Sequence, residues 1–256
     1  MGSLGRGALS IAGFLLFWEG IARAGVVPGD HFPAPSLVVI TLIDELRRGP
    51  LAAAFSITFI RALAGASAAT LVALAVALLA AWLPLISRAF DPIAEFLRPL
   101  PPAAIVPMAI FFLGLGWKLY AFILIFACFW PVYLNAAQAL KATSNVQIET
   151  ARATGYDTWE IIAYVRLPAA LPTIFIGIRL AAAVALIAAV AAEMIAGRDG
   201  LGFYLIDAGF TLRVPETFAG LLAAMVAGLL INSLVAALRG VCVGWHDVMM
   251  RSAAAS

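Results

Sequence analysis

The chain has 256 residues, of which 64% are hydrophobic and 12% are charged, and its formal net charge is +2. Soluble domains contain about 25% charged and about 45–50% apolar residues, so this composition excludes an ordinary soluble domain. It also excludes a disordered chain, which needs low hydrophobicity and a high net charge. The small net charge gives no support for a nucleic-acid partner. The composition therefore predicts an integral membrane protein with the lipid bilayer as its solvent.

Six apolar stretches could cross a membrane, which takes about 20 apolar residues per helix. The first is weak because it contains Glu19, and the fifth contains Arg179 and Glu193. In chain order the stretches are 8–24, 61–88, 98–118, 118–141, 171–195 and 216–239. We predict an all-α integral membrane fold with six transmembrane helices. The alanine-rich fifth helix is expected to pack against the fourth or against a second copy of the chain.

The first fifty residues raise two further points. Arg6, the apolar run Ile11–Trp18 and Ala22-Arg23-Ala24 together resemble a signal peptide, although Glu19 is unfavourable just before a cleavage site. The segment Leu37–Arg48 is predicted to be an amphipathic helix at the membrane interface. The Lys and Arg residues divide almost evenly between the two sides of a six-helix arrangement, so they do not determine its orientation.

The longest polar stretch inside the chain is 141–170, between the fourth and fifth spans. Residues 148–153 favour a helix, and Gly155 is expected to break it. A second short helix, capped by Asp157 or Thr158, is predicted to follow. Two short helices joined at a glycine and projecting from the membrane are typical of a docking element for a partner.

The second short helix has Glu160 near its start, as in a capping box. Its apolar side is expected to consist of Ile161, Ile162, Val165 and Leu167. Pro168 is expected to end this helix, because proline disfavours helical backbone in the residue before it.

The spacing of this loop is specific. From Glu149 to Pro168 it reads Glu-x-Ala-x3-Gly-x9-Val-x-Leu-Pro. It resembles the EAA loop of ATP-binding-cassette (ABC) importer permeases, whose form is Glu-Ala-Ala, three residues, Gly, nine residues, Ile, one residue, Leu-Pro. Thr150 and Val165 stand where the family usually has Ala and Ile, while the spacing is kept. The segments 98–102 and 192–203 resemble the branch that imports taurine, alkyl sulfonates and nitrate.

The resemblance implies a type I importer fold in the bacterial inner membrane, with both termini in the cytoplasm. The loop would be a cytoplasmic coupling-helix hairpin between the fourth and fifth transmembrane helices. The residues expected to couple it to an ATPase are Glu149, Thr150, Ala151, Gly155, Val165, Leu167 and Pro168. Expected partners are two cytoplasmic ATPase subunits, a periplasmic substrate-binding protein and a second copy of this chain.

The resemblance also implies how the chain is divided. Residues 1–50 would form an N-terminal transmembrane helix and an external amphipathic segment. Residues 51–238 would form the permease domain, and 239–256 a cytoplasmic tail. The function implied is the passage of a small, anionic solute such as a sulfonate, taurine or nitrate.

Enzyme chemistry is not expected in this chain. No P-loop of the form GxxxxGK[ST] occurs, so ATP hydrolysis is expected in a separate subunit. Cys128 and Cys242 are far apart, and they predict neither a metal site nor a disulfide framework. We expect no cofactor. An ion-driven secondary transporter is the main alternative, but it leaves the loop unexplained. A membrane enzyme would need a catalytic cluster near a membrane face, and the sequence offers none.

Two charged residues of the fifth span are candidates for the translocation pathway, because such groups usually face the bundle interior or water. Arg179 and Glu193 are fourteen residues apart, which is about 21 Å of helix, so they cannot pair with each other. Arg179 could provide an electropositive pathway for anions or bond within the bundle. Glu193 could act at an outer gate, contact a receptor, or pair structurally.

Three uncharged positions complete the candidate pathway. Asn135 and Gln138 in the fourth span could line it or hydrogen-bond across helices. Pro107 belongs to the proline-rich segment 98–107. Irregular backbone at membrane depth is tolerated where protein buries it or where it lines a cavity. This segment is therefore either the bent start of a helix near the pathway or an interfacial turn.

Overall fold

The computed structural model describes residues 3–25 and 31–255, and every regular element in those ranges is helical. The helices are α1 (Ser3–Arg23), α2 (Pro35–Arg48), α3 (Leu51–Trp82), α4 (Pro84–Leu97), α5 (Pro102–Leu113), α6 (Trp117–Lys141), α7 (Asn145–Ala153), α8 (Thr158–Ile161), α9 (Leu167–Ala196), α10 (Gly200–Phe210) and α11 (Val214–Ala255). A π-helical turn, Ile162–Arg166, joins α8 to α9. The predicted all-α class is therefore confirmed for the described residues.

Four long helices could cross a membrane by length and composition, as judged from the described residues. They are α3, α6, α9 together with the short helical turns before it, and α11 as far as Trp245. The pair α4 and α5 would make a fifth span, but it is bent by 103°. The described residues thus provide four continuous spans and one broken pair, so the predicted count of six is not confirmed. Helix α1 covers the predicted first span and does not meet the same criteria.

The stretch 98–118 does not form one long helix. Pro99, Pro101 and Pro102 lie at the break between α4 and α5, and α5 has only 12 residues. Prolines cannot supply the backbone N–H groups that a continuous helix needs. After α5 the chain turns through Gly114 and Gly116, which have φ of 67° and 141°, values that favour glycine. The proline-rich segment is therefore a bent start of a short helix.

Helix α6 lies at the centre of the bundle, where α3 and α9 pack against it. Both neighbours present small side chains to the core, including Ala62, Ala69, Ala73, Ala181, Ala185 and Ala188. Small residues let helix backbones approach closely in a membrane. At Gly65 an added Cβ would come within 2.5 Å of the Leu124 Cβ, so this approach needs glycine. The prediction that the alanine-rich span packs against the fourth span is confirmed.

The carboxylate of Glu19 connects the first two helices, α1 and α2, by hydrogen bonds. Glu19 of α1 accepts hydrogen bonds from the Ser36 backbone N–H, at 3.0 Å, and from the Ser36 hydroxyl, at 2.7 Å. Ser36 lies in the first turn of α2, where a carboxylate satisfies free N–H groups. The predicted amphipathic helix at 37–48 is confirmed as α2, which packs on α11. Glu19 is therefore accounted for by its contact with α2.

Candidate functional site

The hairpin, defined here as residues 145–166, connects α6 to α9. Its first helix, α7, ends before Gly155, which has φ of 96°, a conformation that strains residues with a Cβ. Asp157 and Glu160 then form a capping box: the Glu160 N–H donates to Asp157 Oδ1 at 2.7 Å, and the Asp157 N–H donates to Glu160 Oε2 at 2.8 Å. The predicted glycine break and the predicted cap at Asp157 are both present.

The apolar side of the hairpin faces its own chain. Ile161 is buried against Ile148 and Ala151, with Val165 packed on this small cluster. Ile162 is also buried, at 1% exposure. These residues therefore face other parts of the same chain. Ile148, Ala151, Ile161 and Val165 hold the two short helices of the hairpin together.

A different set of side chains points outward from the hairpin. The exposed large apolar and aromatic residues are Val146, Tyr156, Trp159 and Tyr164. The rings of Tyr156 and Tyr164 have centroids 6.3 Å apart. Glu149 and Thr150 are also exposed, whereas Val165, Leu167 and Pro168 are half-buried. Exposed apolar patches of this kind mark interaction sites.

Pro168 does not end the second short helix. The chain continues through the π-helical turn into α9, and Pro168 lies in the first turn of that helix. Proline within a helix in a membrane is tolerated where a local π-helical irregularity accommodates the missing N–H. A π-turn adds one residue to the ring of each hydrogen bond and marks many functional sites. The helical path from Thr158 to Ala196 is thus continuous but irregular where the hairpin joins the bundle.

A cavity lies between α6, α9 and the proline-rich break, and we name it the Arg98 cavity. Its volume is about 650 Å³. Its lining residues are Arg98, Pro99, Leu100, Pro101, Pro102, Phe126, Ala127, Trp130, Pro131, Leu134, Asn135, Gln138, Leu180 and Val184. Ligand sites are mostly apolar, with a few polar groups that orient the ligand. Arg98 is the one charged residue in this lining.

Two of the predicted pathway residues meet in this cavity. Asn135 and Gln138 both line it. The Asn135 Nδ2 donates to the Pro131 carbonyl at 2.8 Å, which leaves its side-chain oxygen available. Pro107 lies inside α5 and is not among the lining residues. The proline-rich segment borders the cavity through Pro99, Pro101 and Pro102 instead.

The other two predicted pathway residues lie outside the Arg98 cavity. Arg179 donates from Nε to Asn232 Oδ1 at 2.9 Å, so it bridges α9 to α11. Glu193 is fully buried near the far end of α9, away from the hairpin. These two charges occupy separate environments, as their distance along the helix predicts.

Glu193 is the centre of a polar network that we name the Glu193 cluster, consisting of Thr58, Arg61, Tyr120, Glu193 and Asp199. Arg61 Nη1 donates to Glu193 Oε1 at 3.0 Å, and Arg61 Nη2 donates to Asp199 Oδ1 at 2.8 Å. The Thr58 hydroxyl donates to Glu193 Oε2 at 2.7 Å. The Arg61 guanidinium carbon lies 4.0 Å from the centre of the Tyr120 ring, within the range of a cation–π contact.

The same carboxylate caps α10. The Gly202 N–H donates to Glu193 Oε2 at 3.0 Å, and the Leu201 N–H donates to Thr58 Oγ1 at 2.7 Å. A Cβ at Gly200 would overlap the Glu193 carboxyl group, and one at Gly202 would overlap the Val190 carbonyl oxygen. The two glycines are therefore required by the close approach of α9 and α10.

Sequence reasoning missed Thr58, Arg61, Tyr120 and Asp199 as partners of Glu193. A buried carboxylate needs charged and hydrogen-bonding partners, so Glu193 itself predicted that some partner exists. The nearby Gly-Leu-Gly at 200–202 was a further signal of close packing. Thr58 lies 135 residues away along the chain, and no local pattern reports that distance.

Residues 69–243 match the family described as binding-protein-dependent transport system inner membrane component. The chain is 28% identical over 242 residues to the putative aliphatic sulfonates transport permease protein SsuC of Bacillus subtilis (strain 168), covering 94% of this chain and 88% of that protein. It is 32% identical over 163 residues to the taurine transport system permease protein TauC of Escherichia coli (strain K12), covering 64% of this chain and 59% of that protein.

The bicarbonate transport system permease protein CmpB of a Synechocystis strain is 28% identical over 238 residues, covering 90% of this chain and 85% of that protein. A solved structure of the MetNI methionine ABC transporter, described as inward facing, aligns with a TM-score of 0.68 and 17% identity. The alignment covers 78% of this chain and 99% of that chain. This structural likeness shows a shared fold.

Proposed function

The chain belongs to the family of binding-protein-dependent transport system inner membrane components and is an ABC-importer permease, and on this premise we propose how it works. We propose that it forms the translocation pathway for a small anionic solute. We propose further that the hairpin couples this pathway to a cytoplasmic ATPase. The structure of the hairpin supports the coupling role: the hairpin is capped and internally packed, and it leaves aromatic residues exposed.

The hairpin has the properties of a stiff mechanical joint. Its inner cluster of Ile148, Ala151 and Ile161 packs its two short helices against each other, and the capping box fixes the start of α8. The exposed Trp159 is 55% accessible and would fill a pocket on the partner, as aromatic anchors do in protein interfaces. Exposed Glu149 would meet a cationic group there, and a reversed charge would be costly. Motion of the ATPase would then pass directly into α9.

Topology follows from this role. An ATPase is cytoplasmic, so the hairpin end of the bundle would face the cytoplasm and the Glu193 cluster the periplasm of a bacterial inner membrane. We assign α1 as the sixth span: its 21 residues extend about 30 Å, the thickness of the hydrocarbon core. Its exposed residues include Ile11, Phe14 and Phe17, which suit contact with lipid. Six spans would place both termini in the cytoplasm.

The assembly would contain two copies of this chain. Each copy has one hairpin, and ABC engines act as pairs of ATPase subunits, so a homodimer supplies one hairpin to each. A periplasmic substrate-binding protein would deliver the solute to the outer face. ATP binding would close the ATPase pair, draw the hairpins together and open the pathway outward. Hydrolysis would return the pathway to its inward-open form.

The substrate class is supported by the relatives and by the Arg98 cavity. The relatives' names refer to aliphatic sulfonates, taurine and bicarbonate. Nitrate is supported by the sequence resemblance alone. Aliphatic sulfonates and bicarbonate are small oxyanions, and taurine carries a sulfonate group. In the lining of the Arg98 cavity a single arginine is accompanied by two amides and no acid.

The coupling role is tested by co-purification in mild detergent from the native membrane, with mass spectrometry of the captured proteins. We expect an ATPase subunit and a substrate-binding protein with the wild-type chain. Gly155→Pro and Glu149→Lys should abolish capture of the ATPase, and Trp159→Ala should weaken it, while membrane insertion is retained. Phe210→Ala is the matched control, because Phe210 is an exposed aromatic residue outside the hairpin.

Two outcomes would contradict the coupling role. Normal ATPase capture by all three hairpin variants would remove the hairpin from the interface. Failure to capture any ATPase with the wild-type chain, even after cross-linking in the presence of nucleotide, would favour an ion-driven transporter. Uptake that follows a proton gradient but not ATP would then identify that alternative.

A further inference from the structure

Arginines in the helical bundle differ in what neutralises them. Arg61 is paired with two carboxylates, Glu193 and Asp199. Arg179 is bonded to the neutral amide of Asn232, between α9 and α11. Arg98 lines a cavity, and within residues 3–25 and 31–255 it takes part in none of the salt bridges. No carboxylate among the described residues therefore neutralises the charge of Arg98.

The position of Arg98 is set by the break between α4 and α5. Its backbone N–H still donates to the Ala94 carbonyl at 2.9 Å, at the end of α4. Pro99 follows at once, and Pro101 and Pro102 lead into α5. Proline restricts both its own backbone and that of the preceding residue. The arginine therefore sits on a rigid turn at the wall of the cavity.

Two further features of the cavity strengthen the positive potential around Arg98. Pro101 and Pro102, which line the cavity, form the amino end of the 12-residue helix α5, and such an end carries a partial positive charge. The cavity lining also contains the apolar side chains Phe126, Trp130 and Leu134. Low-dielectric walls focus the field of a charge and raise the local concentration of counter-ions.

We propose that Arg98 is the anion-selecting residue of the pathway, and that its guanidinium binds a sulfonate or similar oxyanion in the Arg98 cavity. This proposal rests on the transport function and identifies a site within it. A guanidinium presents a planar fork of donors that matches the oxygens of an oxyanion. Gln138 and the free oxygen of Asn135 border the same space. They are suited to contact the rest of the solute.

The site is tested by charge-selective cysteine labelling, which needs no knowledge of the natural solute. Gln138→Cys places a thiol in the cavity wall, in a chain carrying Cys242→Ser, since Cys242 is exposed and Cys128 is buried. The probes are two methanethiosulfonates of similar size, one ending in a sulfonate and one in a trimethylammonium group. The readout is the ratio of their labelling rates, corrected for the ratio on a free thiol in solution.

We expect the sulfonate reagent to be favoured in the cavity. Arg98→Gln should lower the ratio on the order of threefold or more, because it removes the charge that concentrates anions. Arg98→Lys should retain most of the preference. Arg179→Gln is the matched control and should leave the ratio unchanged. Size-exclusion profiles in detergent identify any variant that fails to fold, and Arg98→Met then serves as a second variant that removes the charge and should lower the ratio in the same way.

Three results would overturn the proposal. The ratio could be the same in wild type and Arg98→Gln, it could fall in Arg179→Gln instead, or neither reagent could reach Cys at position 138. Failure of the transport function is seen separately, because ATPase capture does not depend on this ratio. An anion preference in a chain that captures no ATPase would leave Arg98 as the selector of another kind of transporter.

Discussion

The Glu193 cluster and the Arg98 cavity contain similar chemical groups that are used in opposite ways. In the cluster, each charge is satisfied inside the protein: Glu193 is fully buried and accepts three hydrogen bonds, and Arg61 bridges it to Asp199. In the cavity, Arg98 has neutral neighbours in an open space of about 650 Å³. Paired charges join helices, whereas an unpaired charge beside a cavity is available to a ligand.

The difference has a physical origin in desolvation. A carboxylate removed from water is tolerated only if its partners replace the lost hydration. Glu193 meets this condition because α3, α9 and α10 all contribute to its surroundings. A group beside a water-filled cavity keeps its hydration and needs no partner. The two regions therefore predict different responses to mutation, and these can be ranked by expected size.

The largest effect is expected from Glu193→Ala. This substitution removes the acceptor for Thr58, Arg61 and the Gly202 N–H, and breaking a buried pair in this way costs about 3–5 kcal/mol. The purified protein should unfold at a clearly lower temperature in detergent. Asp199→Asn is the control: the Asp199 side chain is 48% exposed, so its loss should have a much smaller effect. If the two substitutions lowered the unfolding temperature equally, burial of the carboxylate would not determine its contribution to stability.

The next largest loss of stability is expected from substitution of the glycines that lie against the Glu193 carboxylate. Gly202→Ala would place a methyl group against the Val190 carbonyl oxygen and the Glu193 side chain, and overpacking of this kind costs about 1–3 kcal/mol. Gly209→Ala is the matched control in the same helix, because nothing lies within 4 Å of its added Cβ. It should be neutral or slightly stabilising. The prediction is checked by measuring the melting temperatures of both variants. Similar values would contradict the close approach of α9 and α10.

A smaller and local effect is expected in the hairpin. Asp157→Ala removes the side-chain acceptor of the Glu160 N–H, and loss of such a cap costs about 1 kcal/mol. Hydrogen exchange should accelerate at the amides of α8 and remain unchanged at the Glu193 cluster. Asp157→Asn keeps an acceptor and should preserve most of the protection. Faster exchange across the whole bundle would show that the hairpin is not a separate unit.

The smallest effect is expected from Arg179→Gln. Arg179 is exposed in the single chain and makes one hydrogen bond, to Asn232, and surface substitutions of this kind usually change stability by less than about 0.5 kcal/mol. The melting temperature in detergent should stay close to that of the wild type. A large decrease would mean that the face between α9 and α11 is covered in the assembled protein.

Several features could be predicted because they depend on neighbouring residues. The helix-forming residues 148–153 and the break at Gly155 predicted the hairpin, and Asp157 or Thr158 was predicted to cap its second helix, with Glu160 near its start. Apolar runs identified the long helices α3, α6, α9 and α11, since a helix that crosses a bilayer needs about 20 apolar residues. Each of these patterns is local, so it can be read without knowing the fold.

Other features depended on contacts between distant segments. Which side of the hairpin stays exposed was decided by how Ile161 packs on Ile148, and the apolar pattern is the same for an inward and an outward face. The chain stays helical through Pro168 because a π-helical turn precedes it, and no residue spacing predicted that turn.

The sequence by itself determined that this protein is an all-helical membrane protein with a capped hairpin between two spans, because composition and local spacing depend only on neighbouring residues. Only the tertiary structure decided which charges are paired. Glu193 and Arg61 are 132 residues apart and meet at 3.0 Å. Arg98, Asn135 and Gln138 line one cavity although they come from the α4–α5 break and from α6. The physical reason is that ion pairs and cavities depend on how helices approach one another in space, and helix packing is a property of the whole bundle.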